Sequence, residues 1–360
     1  MLKMVKIMGN DRGIALLLVI SVTTILIAVA LEYNRRARFA VLSAAAARDR
    51  LTLSQMASSG IHAAMALLAK DRAESDTDSL EEDWANPDKI KQLLEEVPFD
   101  DGDLSVVISD EMGRIQINAL VTFPESRNFN ESQRMLLERY LNYFKNDDEQ
   151  TPEDSQPPAI INSLKDWLDS GDDDAITGLS GAESSYYQDL SPPYTSRNGP
   201  IPDINDLLLV NGITPELLYG GNEKPGIAQF LTVYGMQPGA GTSFTFPGKI
   251  NINTAELPVL VAMLPSENAD LAQTFLELRQ EVAGDQDDHD FSNPEWYKNI
   301  SGLAGIHLDR NLITTASDTF RIVSTATLND HKLITTSVVQ RIKNEKTGKW
   351  TCKILSWETG

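Results

Sequence analysis

Carboxylate side chains are concentrated in one short stretch of this sequence, directly after a Trp-Leu pair. They are Asp169, Asp172, Asp173, Asp174, Glu183 and Asp189. Calcium takes about six to eight oxygen ligands, and a loop that contains a glycine such as Gly171 is able to fold around the ion. The order of the residues is not that of an EF-hand loop. Spacing alone therefore leaves two interpretations open, a calcium site or a solvated acidic loop.

The other residues with chemical potential do not form a recognisable catalytic arrangement. The stretch 285–290 holds four aspartates and one histidine, and we predict a loop there, with a second metal site as the alternative. The four histidines are His62, His289, His307 and His331. The single cysteine, Cys352, excludes a disulfide within the chain and a multi-cysteine zinc site. Because no hydrolase, phosphate-loop or zinc-protease motif is present, we expect the protein not to be an enzyme.

The overall charge argues against nucleic acid as a partner. The chain carries 52 acidic and 31 basic residues, a net charge of −21, and this charge repels phosphates. The segment 249–264, KININTAELPVLVAML, looks like half of a helix-hairpin-helix unit, which holds a DNA phosphate in other proteins. The hairpin after it begins Pro265-Ser-Glu-Asn instead of Gly-x-Gly. We therefore predict no nucleic-acid binding and interpret the segment as a packing module.

The N-terminal part contains a candidate membrane span. Residues 14–31 are eighteen uncharged residues, and Lys3, Lys6 and Arg12 precede them. As a helix this run is about 27 Å long, enough to cross a bilayer core. Basic residues before the span keep its start in the cytoplasm, so the rest of the chain is predicted to be extracytoplasmic. The run could be a cleaved secretory signal ending near Ala28-Val29-Ala30, a plain anchor, or the helix of a pilin-type protein.

A helical pattern continues beyond the span, to about residue 72. This part is rich in alanine and contains no proline. Apolar residues recur at roughly helical spacing, and Leu42, Leu53 and Met56 are among them. One continuous helix from Ile14 to about Lys70 is roughly 85 Å long. Because such a stripe has little use in a monomer, we predict that it packs partly on the protein's own sheet and partly on partner helices.

Strand patterns occur near both ends of the remaining chain. Residues 104–108 and 114–117 alternate around a turn at 109–113, which predicts a hairpin. Three further strands are predicted between residues 319 and 357. The region between is punctuated by proline and glycine, and segments such as 131–144, 204–210 and 227–233 are predicted to be helices. We expect an α+β fold in which a large all-α domain is inserted into one antiparallel sheet.

Several segments resemble one protein family. Gly13 followed at once by the apolar run resembles the cleavage site of type IV prepilins and type II secretion pseudopilins. Most members carry glutamate five residues after the cut, where this chain has Leu18, and the minor pseudopilins K typically lack that glutamate. The insertion adds DWLDSGDDD (166–174), GAESSYY (181–187), PPYTSRNGPI (192–201), DINDLLLVNGITPELLYG (203–220) and the segment at 249–264. Together these segments resemble the general secretion pathway protein K family.

The resemblance implies a function and a set of site residues. Prepilin peptidase is expected to cut between Gly13 and Ile14. Calcium is expected in the insertion, on Asp169, Asp172 and Glu183, with Asp174 and Asp189 as further candidates. A structural role is implied at the tip of the secretion pseudopilus, together with minor pseudopilins I and J. The chain is then a single-pass inner-membrane protein with its C-terminal head in the periplasm.

The same resemblance divides the chain. The expected parts are a leader (1–13), a transmembrane helix (14–31), a periplasmic stalk (32–72), two parts of a pilin-like head (73–122 and 316–360) and an all-α insertion with SAM-like modules (123–315). The alternative from another class is a singly anchored periplasmic protein that binds calcium or a substrate and keeps its anchor uncut.

Overall fold

The structure is a computed structural model that describes residues 11–95, 99, 101–124, 126–145, 152–171, 176–221, 224–241, 243–282, 290–300 and 302–360. The α-helices among these residues are α1 (Asp11–Glu74), α2 (Pro87–Glu95), α3 (Glu131–Phe144), α4 (Pro157–Leu168), α5 (Ser184–Gln188), α6 (Pro215–Tyr219), α7 (Leu257–Met263) and α8 (Leu271–Val282). The strands are β1 (Asp103–Asp110), β2 (Ile115–Gln116), β3 (Gly220–Gly221), β4 (Lys224–Pro225), β5 (Leu231–Thr232), β6 (Gln237–Pro238), β7 (Phe244–Thr245), β8 (Ile250–Asn251), β9 (Ile313–Thr314), β10 (Thr319–Leu328), β11 (His331–Lys343) and β12 (Trp350–Thr359).

Helix α1 is a single element of 64 residues, as the uninterrupted helical pattern predicts. Within the described residues it is the one helix long and apolar enough to cross a membrane. The hydroxyls of Thr23 and Thr24 donate to the Ile20 carbonyl at 2.9 and 2.7 Å, so these polar groups are satisfied inside the apolar half. The apolar half makes no contact with the head, because none of its residues is buried.

The second half of α1 packs on the main sheet. Ile61, Ala64 and Leu68 share a core with residues of β1, β10 and β11. Gly60 allows the close approach, since an added Cβ there would lie 2.4 Å from Ser324 Oγ and 2.9 Å from Val106 Cγ2. The second half of α1 is therefore part of the packed head.

The main sheet has four antiparallel strands in the order β1-β10-β11-β12. Its first strand precedes the insertion and the other three follow it, so the expected α+β fold with an interrupted antiparallel sheet is confirmed. Strand β1 precedes the insertion and β10 follows it, and the two strands pair directly. In this pairing Asp110 lies opposite Phe320.

The predicted hairpin at residues 104–117 is wrong. Asp110 instead caps a short 3-10 turn, accepting a hydrogen bond from the Met112 N–H at 2.7 Å. The chain then leaves the sheet, because Ile115 and Ile117 are both buried in the core of the insertion. There β2 pairs in parallel with β5 and does not return alongside β1.

The insertion has one hydrophobic core to which α3, α4 and α7 contribute. The predicted helix at Glu131–Phe144 is observed with those bounds. The segments predicted as helices at 204–210 and 227–233 form short 3-10 helices, Ile204–Leu209 and Ile227–Phe230, and the second passes into β5. The expectation of an all-α insertion is corrected, because the short strands β3 to β9 lie between residues 220 and 314. The SAM-like character of the insertion stays a prediction.

A buried ionic group joins the end of α1 to β11. Arg341 is fully buried, and its Nη1 lies 2.9 Å from Asp71 Oδ2. Its Nη2 lies 2.5 and 2.6 Å from the two oxygens of Asp78 and also donates to the Ser317 carbonyl. The guanidinium stacks over the Phe320 ring, 4.6 Å from its centroid. Both carboxylates therefore share one buried cation.

The same junction reaches into the insertion through Asp110. Its Oδ2 accepts from Ser317 Oγ and Thr254 Oγ1, both at 2.6 Å, and from Asn251 Nδ2 at 3.0 Å. Burial raises the pKa of Asp110 to about 6. The polar network thus fixes the place where the insertion meets the sheet.

Glu82 makes this junction sensitive to pH. Burial raises the pKa of Glu82 to about 7, more than the hydrogen bond from Trp84 Nε1 (2.7 Å) lowers it. A carboxyl whose pKa is higher in the folded state destabilises the protein once it ionises. We expect the unfolding free energy of the head to increase by about 1 kcal/mol when the pH falls from 8 to 6. This value is smaller than the full effect of the pKa shift, because the side chain is only half-buried.

Thermal unfolding at a series of pH values measures this gain. Glu82→Gln keeps an oxygen acceptor for Trp84 and for the Ser79 N–H but cannot ionise. Its melting temperature should therefore change less between pH 8 and pH 6 than that of the natural chain. An equal change in the two proteins would contradict the assignment of the titration to Glu82.

Candidate calcium site and stalk surface

Three buried carboxylates converge at the end of α4. Asp166 lies in its last turn, Asp169 directly follows it, and Glu183 directly precedes α5. Their ligand oxygens all lie within 4.8 Å of one another, and all three residues are buried or nearly so. Because calcium sites are built from convergent carboxylate oxygens, this arrangement suits a divalent cation.

Aromatic packing brings the two ends of the site together. Trp167 is a buried residue of α4. Its ring packs edge-on against the Tyr187 ring of α5, with the two ring centroids 5.1 Å apart. Between them the chain passes very close to the site, since a Cβ added to Gly181 would lie 2.0 Å from Asp166 Oδ2. We therefore infer that only glycine fits at position 181.

The local charges favour a doubly charged cation. The Thr177 N–H donates to both oxygens of Asp166, at 3.2 and 3.1 Å, yet burial still raises the pKa of this carboxyl. Lys165 Nζ donates to Asp169 Oδ2 at 2.9 Å and to Thr177 Oγ1 at 3.0 Å. Three carboxylates and one ammonium (−3 + 1) leave a charge of −2 when all are ionised.

The structure brings together two of the five predicted calcium ligands, Asp169 and Glu183. Asp189 is exposed at the end of α5 and is not part of the group. Asp172 and Asp174 lie outside the described residues. Asp166 was missed by the sequence reasoning, although its spacing of three residues from Asp169 places both on one face of a helix.

A second carboxylate group lies at the junction and has its own cation. Asp71, Asp78 and Glu82 offer oxygens within 4.8 Å of one another. The Arg341 guanidinium bonds to two of these side chains at 2.5–2.9 Å. We therefore interpret this group as an ion-pair network. The predicted acidic loop at 285–290 lies outside the described residues except for Asp290, which accepts from Ser292.

The three predicted partner-binding residues of the stalk have different surroundings. Leu53 and Met56 are only 4% and 0% exposed, because both pack on the protein's own sheet with Ala326 and Leu328. Their assignment to a partner surface is therefore corrected. Leu42 is 69% exposed and stays a candidate.

Comparison with known proteins gives concordant results. Residues 113–219 match the first-domain family model of type II secretion system protein K. A protein of that name from Pseudomonas aeruginosa is 25% identical over 346 residues, 94% of this chain and 91% of its own length. Those from Klebsiella pneumoniae and Aeromonas hydrophila are 26% and 24% identical, over matched regions that span only 60% and 61% of their lengths.

The fold is shared with a solved structure. A chain in the GspK–GspI–GspJ complex of the enterotoxigenic Escherichia coli type 2 secretion system aligns over 87% of this chain and 98% of its own length, with 19% identity and a TM-score of 0.55. In this chain the shared fold combines a long apolar helix, an antiparallel sheet and a large insertion. The family model and the relatives agree, so this chain is similar to protein K of type II secretion systems.

Proposed function

We propose that this chain is a structural minor pseudopilin at the tip of the type II secretion pseudopilus, where it joins minor pseudopilins I and J. The observation that carries the proposal is α1, which extends beyond the head with an uncovered apolar surface. Similar relatives are named as protein K, and the solved neighbour is a chain of a complex of GspK, GspI and GspJ. The proposal assigns the chain no catalytic step.

The membrane arrangement belongs to the same proposal. Residues 14–31 anchor the chain in the inner membrane, and the head lies in the periplasm. Lys3, Lys6 and Arg12 precede the span and support a cytoplasmic start. Prepilin peptidase removes the leader between Gly13 and Ile14 and leaves the apolar helix on the mature protein.

The partner surface is the part of α1 between the membrane span and the head. Phe39, Val41 and Leu42 are exposed there, and Leu51 is exposed two residues before the buried Leu53. Exposed apolar residues on a helix typically pack in the groove of a partner helix. This surface therefore takes the stalk helices of pseudopilins I and J.

Leu42→Asp should weaken the complex with pseudopilins I and J about tenfold or more, because a charge would replace an apolar contact at the centre of the helix interface. Co-purification of the detergent-solubilised full chain with tagged pseudopilin J measures the effect.

Leu179→Asp is a matched control, since Leu179 is fully exposed on the insertion and belongs to no proposed interface. Both variants should retain the melting temperature of the natural head. If Leu42→Asp assembled as well as Leu179→Asp, the stalk surface would not be the contact.

We further propose that the insertion binds calcium through Asp166, Asp169 and Glu183. The buried convergence of the three carboxylates supports this, together with the residual charge of −2. Asp172 and Asp174 are candidates to complete the coordination. The role of the ion is structural, since it would tie the end of α4 to the start of α5.

A further inference from the structure

A cavity of about 400 Å³ lies where the insertion meets the main sheet. The sheet contributes Arg321 of β10 and Glu358 of β12 to its lining, and Arg114 follows the 3-10 turn at the end of β1. The insertion contributes Glu256, which directly precedes α7, and the segment 231–234. A cavity of this volume is in the range that holds small molecules.

Two arginine side chains of the cavity share one buried carboxylate. Glu111 is only 1% exposed, and its Oε1 lies 3.4 Å from Arg114 Nη1 and also accepts from Arg321 Nε. Within the part of the chain that the structure describes, neither guanidinium bonds to any other side chain. Because each guanidinium carries five N–H donors, most donors of this pair are left for a ligand. A fixed pair of guanidiniums is suited to hold a carboxylate through parallel hydrogen bonds.

Two carboxylates of the same cavity, those of Glu256 and Glu358, are exposed to solvent. Among the described residues, neither of these side chains forms a hydrogen bond or an ion pair. The side chains of Arg114 and Arg321 are only 18% and 29% exposed. We therefore infer that the arginines form the inner end of the cavity and the two glutamates form its mouth.

The inner wall of the cavity is held in place by bonds within the fold. Residues 231–232 pair in parallel with β2. Gln116 Nε2 donates to the Tyr234 carbonyl, and Asn118 Nδ2 donates to the Val233 carbonyl at 3.1 Å. Because this wall exists before any ligand arrives, binding there loses little conformational entropy.

The charges of the cavity select the class of ligand. With the side chains of Glu111, Asp203, Glu256 and Glu358 ionised, four carboxylates stand against two guanidiniums, which leaves a charge of −2. A simple anion such as phosphate is repelled by that charge, and a simple cation leaves the two arginines without a partner. A molecule with one carboxylate and a cationic end complements both ends of the cavity.

We propose that this cavity binds a basic amino acid, either free or as the C-terminal residue of a peptide. The ligand's carboxylate bonds to Arg114 and Arg321, and its side-chain cation lies between Glu256 and Glu358. The inference goes beyond the structural role proposed above and does not depend on assembly with pseudopilins I and J. Since the walls come from both the sheet and the insertion, the ligand also stabilises the contact between them.

Isothermal titration calorimetry of the detergent-solubilised full chain with L-lysine, norleucine and cadaverine tests the class of ligand. Norleucine lacks the side-chain cation of lysine, and cadaverine lacks its carboxylate. We expect lysine to bind about tenfold more tightly than either, or better. A tripeptide of two alanines and a C-terminal lysine distinguishes the two sources: tighter binding of the tripeptide assigns the site to a chain end, and tighter binding of lysine assigns it to the free amino acid.

Variants place the ligand in the cavity. Glu256→Gln combined with Glu358→Gln should weaken lysine binding about tenfold or more and leave norleucine binding unchanged. The melting temperature of this variant should equal that of the natural chain, because both side chains are exposed and unbonded. Glu345→Gln is a matched control, since Glu345 is exposed in the turn at the other end of β12. Arg114→Gln should weaken the binding of lysine and norleucine alike.

Three results would overturn the proposal. They are no lysine binding at millimolar concentration, equal affinity for lysine and for norleucine or cadaverine, and natural lysine affinity in the double glutamate variant. Co-purification with pseudopilins I and J is measured on the same proteins. Its outcome bears only on the tip assignment, so the failure of one proposal is distinguishable from the failure of the other.

Discussion

Arg341→Met should lower the unfolding free energy of the head by about 3–5 kcal/mol, because it leaves two buried carboxylates without their cation. The side chain is fully buried and bonds to Asp71 and Asp78 within 2.9 Å. Methionine keeps most of the volume, so the loss reports on charge more than on a cavity. Denaturant unfolding of the head at pH 7.5 measures it.

An ion pair of similar length on the surface tests whether the loss of unfolding free energy depends on burial of the pair or only on its distance. Arg310 Nη2 lies 2.6 Å from Glu295 Oε1, but Arg310 is exposed. Arg310→Met should therefore leave the unfolding free energy almost unchanged. Adding Asp71→Asn and Asp78→Asn to Arg341→Met should recover part of the loss, since the uncompensated charges are removed. Equal losses for Arg341→Met and Arg310→Met would contradict the account of the junction.

Calcium should raise the melting temperature of the head, and a chelator should reverse the effect. Only the folded insertion presents Asp166, Asp169 and Glu183 together, so the ion stabilises that state. At a hundredfold excess over the dissociation constant the gain is about 2.7 kcal/mol. Differential scanning calorimetry with calcium and with chelator measures it.

Variants locate the calcium effect. Glu183→Gln should abolish most of it, whereas Asp189→Asn should leave it intact because Asp189 is exposed outside the group. Lys165→Met should strengthen calcium binding, since the ammonium bonded to Asp169 competes with the ion. If neither calcium nor chelator changed the melting temperature of the natural chain, the calcium site would be contradicted and the solvated acidic loop would be the correct interpretation.

The extent of prediction from sequence differs between elements for physical reasons. The long α1 and the three late strands follow from local periodicity, which the tertiary structure did not override. The hairpin failed because Ile115 and Ile117 alternate as in a strand, yet both fill the core of the insertion. An apolar pattern predicts that one face of a helix is buried, but it does not identify the surface that buries it. The pattern therefore favours a partner surface at Leu53 and Met56, whereas the protein's own sheet covers both residues.

The calcium site shows the same limit. The density of aspartates drew attention to 169–174, but the convergence depends on Glu183, which the Trp167–Tyr187 contact brings back to α4. In the sequence only the spacing from Asp169 distinguishes Asp166, because Thr177 and Gly181 approach it only in the fold. Contacts of this kind form between segments that the fold brings together, so they cannot be derived from the spacing of residues in the sequence.

The most direct test of the central claim is native mass spectrometry of the complex purified through tagged pseudopilin I, followed by the intact mass of each released chain. The account predicts a complex of pseudopilins I and J with this chain, and a mass for this chain that begins at Ile14. Gly13→Ala should leave residues 1–13 attached, because the peptidase cuts after the glycine. A chain that retains residues 1–13 in the natural protein, or that is absent from the complex, would contradict the assignment as a minor pseudopilin.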